Sequence, residues 1–333
     1  NIAIGATALD AATTQSLCIA LGYNALTSLN HNDANGTIAI GYLAGEDITS
    51  GQYNTAVGYQ ALKETVDGNN NTAVGYNALM VNTTGSNNTA LGYATLGGSQ
   101  NVGDANTAVG SNALTNFNPD TDDHGHNTGL GYESGASLTT GTENTYVGSG
   151  AGYRNQTGDH NTYAGYRAGL GNSGDSNSYN TAFGSRALEG ITSGGNNVAI
   201  GNQAGDTITT GHENVIIGDG AAQSSENVGM AVIIGRGAAQ NGNIANTADG
   251  TVAIGYKALE ALVGGGENIA IGYLAMDAMV EGHNNLAIGS NAFGSANNSG
   301  SDRNIAIGNY ALDATSTNVT TDNIAIGYAA LGA

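Results

Sequence analysis

The sequence predicts an all-β fold: a parallel β-solenoid (β-roll) of about nineteen coils of ~17 residues each. Three observations predict it. A nine-residue pattern, Asn71-Thr-Ala-Val-Gly-Tyr-Asn-Ala-Leu79, returns seventeen residues on as Asn88-Thr-Ala-Leu-Gly-Tyr-Ala-Thr-Leu96. Aligned on its glycine, the pattern starts at residues 1, 18, 37, 54, 71, 88, 106, 127, 144, 161, 180, 197, 214, 231, 251, 268, 285, 304 and 323, and eleven of the eighteen spacings are 17 residues. Between copies lie stretches with turn chemistry, such as Asn82–Asn87 (NTTGSN) and Thr139–Glu143 (TTGTE). Helical repeats need about twice this length and have no obligatory glycine in mid-unit.

Each position of the repeat has its own reason. Position one is Asn in fifteen copies, and stacked coils would line Asn54, Asn71 and Asn88 into a ladder of side-chain amides. Positions two to four carry Thr, Val or Ile around an Ala and read as a short strand. Positions two and four share one face, and position three takes the other. Position four is apolar throughout, so its face is expected to look into a core. The Ala at position three implies a second crowded face. Position five is Gly in all nineteen copies (Gly58, Gly75 and Gly92 among them), which suggests a positive φ or another backbone close by. Positions six to nine are expected to form a second short strand, with the Ala at position eight again against something tight. Length variation falls between position nine and the next Asn, which puts the insertions on one edge. Nineteen coils at the ~4.8 Å strand spacing would extend roughly 90 Å.

Composition limits the function classes. Gly numbers 54, Pro one and Trp none among 333 residues, and 10% of the chain is charged against 40% hydrophobic. That fits neither disorder nor collagen. A net charge of −20 disfavours nucleic acid and anionic membranes as partners. No apolar run approaches the ~20 residues of a membrane helix, so no membrane insertion is expected. The single Cys18 sits in an Asn position, reads as a buried thiol and excludes an internal disulfide framework. Residues 1–333 read as a single repeat array, cut within the pattern at both ends.

One coil encloses little volume, and the crowded Ala face needs a partner. Three chains around a common axis are therefore expected, the alternative being a monomeric solenoid with its Ala packed internally.

Units such as Asn268-Ile-Ala-Ile-Gly272 and Asn304-Ile-Ala-Ile-Gly308 resemble the head repeats of trimeric autotransporter adhesins. The longer Asn-Thr-Ala-Val-Gly-Tyr pattern with its Thr-Thr-Gly turn, as in residues 71–96, is similar to repeat arrays of phage tail-fibre proteins and of bacterial tail-fibre-domain proteins. The resemblance spans the whole chain and implies a left-handed, homotrimeric roll. The adhesin repeat is usually shorter, so the turn here is longer.

Chemistry is sparse. Catalysis needs dissimilar groups at one place, and no Gly-x-Ser-x-Gly elbow, Walker loop or His-Glu-x-x-His occurs, so no enzyme and no cofactor is expected. The longest insertion carries Asp120, Asp122, Asp123, His124 and His126. Loop carboxylates suit Ca²⁺, and the His-Gly-His spacing resembles the metal-binding His-x-His of some tail fibres; a solvated polar loop is the plain alternative. Tyr59, Tyr76 and Tyr93 would stack as a ladder, which either stabilises the solenoid or offers aromatics to a glycan. Thr55, Thr72 and Thr89 at position two raise an ice-binding array, but sharing a face with position four argues for the core. Sequons occur at Asn70, Asn82 and Asn87.

These observations predict a non-enzymatic extracellular fibre. It would be the shaft or head of a trimeric viral tail fibre, or alternatively a bacterial surface adhesin or filament component, with a ligand- or ice-binding solenoid third. Its partners would be copies of itself and a cell-surface glycan or protein receptor. Its place would be a virion tail or a cell surface.

Overall fold

A computed structural model describes residues 1–31, 34–98, 103–119, 125–172, 174–242, 249–295, 300–313 and 320–332. The described residues hold nineteen three-residue strands and no helix, so the chain is an all-β tandem-repeat solenoid. They group into two compact units, Asn1–Thr162 with Ser173–Ser176, and Tyr163–Asn172 with Asn177–Ala333.

In the first unit the strands from Ile2–Ile4 to Thr145–Val147 pair in chain order, all parallel. The register is that of the repeat: Thr72 faces Thr89, Ala73 faces Ala90 and Val74 faces Leu91. In the second unit the strands from Thr181–Phe183 to Ile324–Ile326 do the same. Equal positions therefore stack one strand spacing apart, ~4.8 Å.

The inward face is the opposite of the one expected. Position three points into the coil: Ala56, Ala73, Ala90, Ala199 and Ala270 are fully buried. Positions two and four point outward, with Leu91 48% and Phe183 63% exposed. The reason is the width of the coil. Across from the strand lie the buried side chains of positions eight and nine, such as Ala78 and Leu79, and those of position twelve, such as Ile48, Leu138 and Ile208. They leave room for little more than a methyl group at position three. The crowding inferred from that Ala is thus internal to one chain.

Among the described residues the expected second strand does not form either. Positions five to ten form a turn in which left-handed residues alternate with right-handed ones: Asn77 has φ +54° and Leu79 φ +48°. Left-handed backbone costs a non-glycine residue about 1–2 kcal/mol. Full burial of the Leu79 side chain returns roughly 1.5–3 kcal/mol. The turn also keeps the bonding between coils. Asn77 N–H donates to Tyr59 O in the preceding coil at 2.9 Å, and Leu79 N–H donates to Thr95 O in the following coil at 3.0 Å.

Where position three is large, its surroundings are cut back. Tyr146 replaces the usual Ala and is fully buried. Gly135 and Gly152 stand where Leu normally stands at position nine; a Cβ on them would lie 2.6 Å and 2.4 Å from the Tyr146 ring. Ile216 and Ile233 at position three likewise accompany Ala222 and Ala239 at position nine.

Candidate functional site

Two columns hold each coil on the next. Asn71 Oδ1 accepts from Asn88 N–H at 2.9 Å while Asn71 Nδ2 donates to Gly85 O at 2.8 Å. Asn54 and Asn88 act alike, through Asn71 N–H and Asn106 N–H. One amide thus ties its own coil shut and fastens the coil after it, and all three are fully buried. The glycine column of Gly58, Gly75 and Gly92 runs beside the strands with φ of +143°, +141° and +142°. Cys18, in an Asn position, is a buried free thiol whose backbone N–H takes the amide oxygen of Asn1 at 2.9 Å.

A further ladder was not read from the sequence. The penultimate residue of many coils turns its side chain back to the N–H of the preceding coil's penultimate residue. Gln52 N–H donates to Asn69 Oδ1 (2.8 Å), Asn69 N–H to Ser86 Oγ (3.1 Å) and Ser86 N–H to Asp104 Oδ1 (2.6 Å). In the second unit His283 N–H donates to Asp302 Oδ1 at 2.8 Å. The signal was present as a run of short polar acceptors at this place. The varying length of the connection obscured it.

The outer surface presents four features. The first is the strand face, where Thr55, Thr72, Thr89, Thr107, Thr128 and Thr145 line position two of the first unit beside Val57, Val74, Leu91, Val109, Leu130 and Val147. The reason for putting these threonines in a core is overturned, because they share a face that points outward. In the second unit both rows are aliphatic from the strand Val198–Ile200 onward, with Val198, Val215 and Val232 next to Ile200, Ile217 and Ile234.

The second is the tyrosine column. Tyr23, Tyr42, Tyr59, Tyr76 and Tyr93 stack with centroids 5.0–5.5 Å apart and planes within 13° of parallel. The rings stay partly open, Tyr59 at 42%. Each inner ring has a neighbour over both faces, so the column presents edges and hydroxyls to solvent.

The third is a groove of about 430 Å³ in the first unit, lined by Ser50, Asp67 and Thr84 on one row and Gln52, Asn69 and Ser86 on the other. The fourth is a cleft of about 460 Å³ lined by Ser137, Tyr153, Arg154 and Gln156.

Charged side chains serve the surface locally. Glu189 pairs with Arg167 at 3.2 Å and with Arg186, and Lys257 pairs with Glu260 at 2.9 Å. Asp206 differs. It is 8% exposed, and among the described residues its Oδ1 has no hydrogen-bond partner. Burial pushes its carboxyl above the usual range, while nearby Arg186 pulls it the other way. Burial likewise raises the Tyr146 phenol far above its ordinary value, although Asn155 donates to its oxygen at 3.2 Å.

Of the metal candidates, Asp120, Asp122, Asp123 and His124 lie outside the described residues. His126 is exposed, and its backbone N–H donates to Asp104 O at 3.1 Å. Among the described residues no three His, Cys, Asp or Glu side chains converge on one point. Of the sequons, Asn70 and Asn87 are exposed, whereas Asn82 is fully buried with its Nδ2 donating to Gly85 O at 2.8 Å.

No protein-family model matches this chain, and no curated protein sequence matches it.

Proposed function

We propose that this chain is a structural segment of an extracellular fibre in which three copies associate through their strand faces, as the shaft or head of a viral tail fibre that reaches a host cell. The observation that carries the reading is the outward stripe at positions two and four. Val198, Ile200, Val215, Ile217, Val232 and Ile234 sit on adjacent strands and are only partly covered by their own chain. Monomeric soluble proteins rarely leave so continuous an apolar strip open, and closed symmetric association is the usual way to cover one. The repeats' resemblance to adhesin heads and tail-fibre arrays supports a left-handed winding and a count of three. The role is mechanical, since each coil bonds to its neighbours and length follows from repetition.

Light scattering on the native protein tests this. A particle of about three times the 33.1 kDa chain supports the fibre, and a monomer at micromolar concentration rejects it. A monomer would leave the Thr-and-Val rows of the first unit as a flat face open to water, and measurement of ice-growth inhibition would then be the next step.

A further inference from the structure

We infer that the cleft lined by Ser137, Tyr153, Arg154 and Gln156 is a subsite for a neutral pyranose sugar. The inference goes beyond the fibre reading and holds for a monomer as well as for a trimer.

A repeating rod offers the same groups at every coil, so a selective site belongs where a coil departs from the repeat. The coil that begins at Asn144 departs at two adjacent positions. Among nineteen coils Tyr153 is the one aromatic at position ten, and Arg154 is the one arginine at position eleven. The guanidinium carbon of Arg154 lies 5.9 Å from the Tyr153 ring centroid, against one face of the ring.

The polar rim comes from the backbone bonding. Ser137 N–H donates to Tyr153 O at 2.9 Å, bringing position eleven of the preceding coil alongside the ring. The Gln156 backbone is held from both sides: its N–H donates to Asp175 O at 2.8 Å, and its carbonyl accepts from Thr139 N–H at 2.8 Å and from Thr139 Oγ1 at 2.9 Å. Gln156 lines the cleft with its backbone already bonded and its side-chain amide unspent. Among the described residues neither that amide nor Ser137 Oγ has a hydrogen-bond partner.

A pyranose needs an aromatic surface for its C–H face, and donors and acceptors around that surface for its hydroxyls. Tyr153 supplies the first, and Ser137 and Gln156 supply the second. The cleft, about 460 Å³, falls in the ~300–1,000 Å³ range of small-ligand sites. The tyrosine column is the weaker candidate, because its ring faces are taken by one another. The groups left open to hydrogen bonding at this rim, Ser137 Oγ and the Gln156 amide, are uncharged, which matches the hydroxyls of a neutral sugar.

The test is saturation-transfer NMR on the native protein with the methyl glycosides of glucose, galactose, mannose and N-acetylglucosamine. At least one is expected to receive transfer on its ring C–H protons. Tyr153→Ala and Gln156→Ala should each weaken binding at least tenfold, and Tyr53→Ala, at an exposed tyrosine that ends the coil beginning at Thr37, should not. Circular dichroism confirms that each variant is folded. Should Tyr153→Ala fail to fold, Gln156→Ala and Ser137→Ala carry the comparison. Absence of transfer to all four glycosides overturns the inference. So does transfer that survives Tyr153→Ala, or transfer abolished by Tyr76→Ala and not by Tyr153→Ala. None of these outcomes depends on the particle mass that tests the fibre reading.

Discussion

At position five two constraints meet on one atom. The backbone of Gly75 has φ +141°, where a side chain is strained, and a Cβ there would lie 2.2 Å from the carbonyl oxygen of Gly92 in the next coil. Either constraint alone favours glycine, and together they explain its presence in all nineteen copies. Gly75→Ala is therefore expected to destabilise by about 3 kcal/mol or more, through strain and a clash that cannot relax without parting two coils. Urea unfolding checks it, and a loss under about 1 kcal/mol would contradict the argument. Asp206 shows the reverse, a residue the fold tolerates at a cost. Its folded carboxyl is raised above the unfolded value of 3.8, so folding favours the protonated form. The penalty is present above the folded pKa and vanishes below the unfolded one. Asp206→Asn should raise the unfolding midpoint at pH 7, and the gain should shrink as pH falls towards 3.8 and be gone below it. A gain that is the same at pH 3 and pH 7 would assign it to another cause.

Within a coil, volume is exchanged between positions. Tyr146 inside the coil goes with Gly135 and Gly152, whereas Ala73 goes with Leu79. Tyr146→Ala should cost about 3–5 kcal/mol for the cavity it opens. Gly152→Leu alone should also destabilise, because its Cβ would meet the ring at 2.4 Å. Combined, the two relieve the clash between that Cβ and the Tyr146 ring. The double variant should be more stable than the sum of the singles by about 1–3 kcal/mol, measured as a double-mutant cycle. Additive effects would mean that ring and glycine do not share the space. The tyrosine column obeys a looser rule, since its rings lie outside and each pair contributes about 0.5–1.5 kcal/mol at most. Tyr59→Ala should lower stability by about 1–2 kcal/mol, and an unchanged midpoint would leave the stack without a structural role.

For the molecule as a whole, repetition and charge pull in opposite directions. Each strand offers an outward face, so the proposed association would gain with each coil added. Every copy also carries −20, which opposes it. Screening acts on the charge and leaves the apolar contact in place: the Debye length falls from ~30 Å at 0.01 M salt to ~8 Å at 0.15 M. The associated fraction should therefore rise with salt at fixed protein concentration, as read by sedimentation. Ile234→Asp, an outward residue on the strand Val232–Ile234, should lower it at every salt level while the circular dichroism stays unchanged. Association that weakens with salt would point to ion pairs instead of the strand face.

The repeat length, the glycine column, the asparagine ladder and the stacked tyrosines were all legible from residue spacing. A parallel stack puts equal positions on top of one another, so whatever recurs in the sequence becomes a column in space. Spacing could not say which face of a three-residue strand looks inward. Alternation shows that Thr72 and Val74 share a side and that Ala73 takes the other, but both sides carry side chains fit for burial. The decision came from Leu79 and its equivalents, which fill a coil too narrow for more than an Ala opposite. Nor could spacing reveal that positions six to nine are a turn, because leucine rarely adopts left-handed backbone, and Leu26, Leu62, Leu79 and Leu114 adopt it here where they are fully buried between bonded coils. The cleft at Tyr153 depends on both coils at once. Its ring belongs to one and Ser137 to the coil before, and only stacking brings them together.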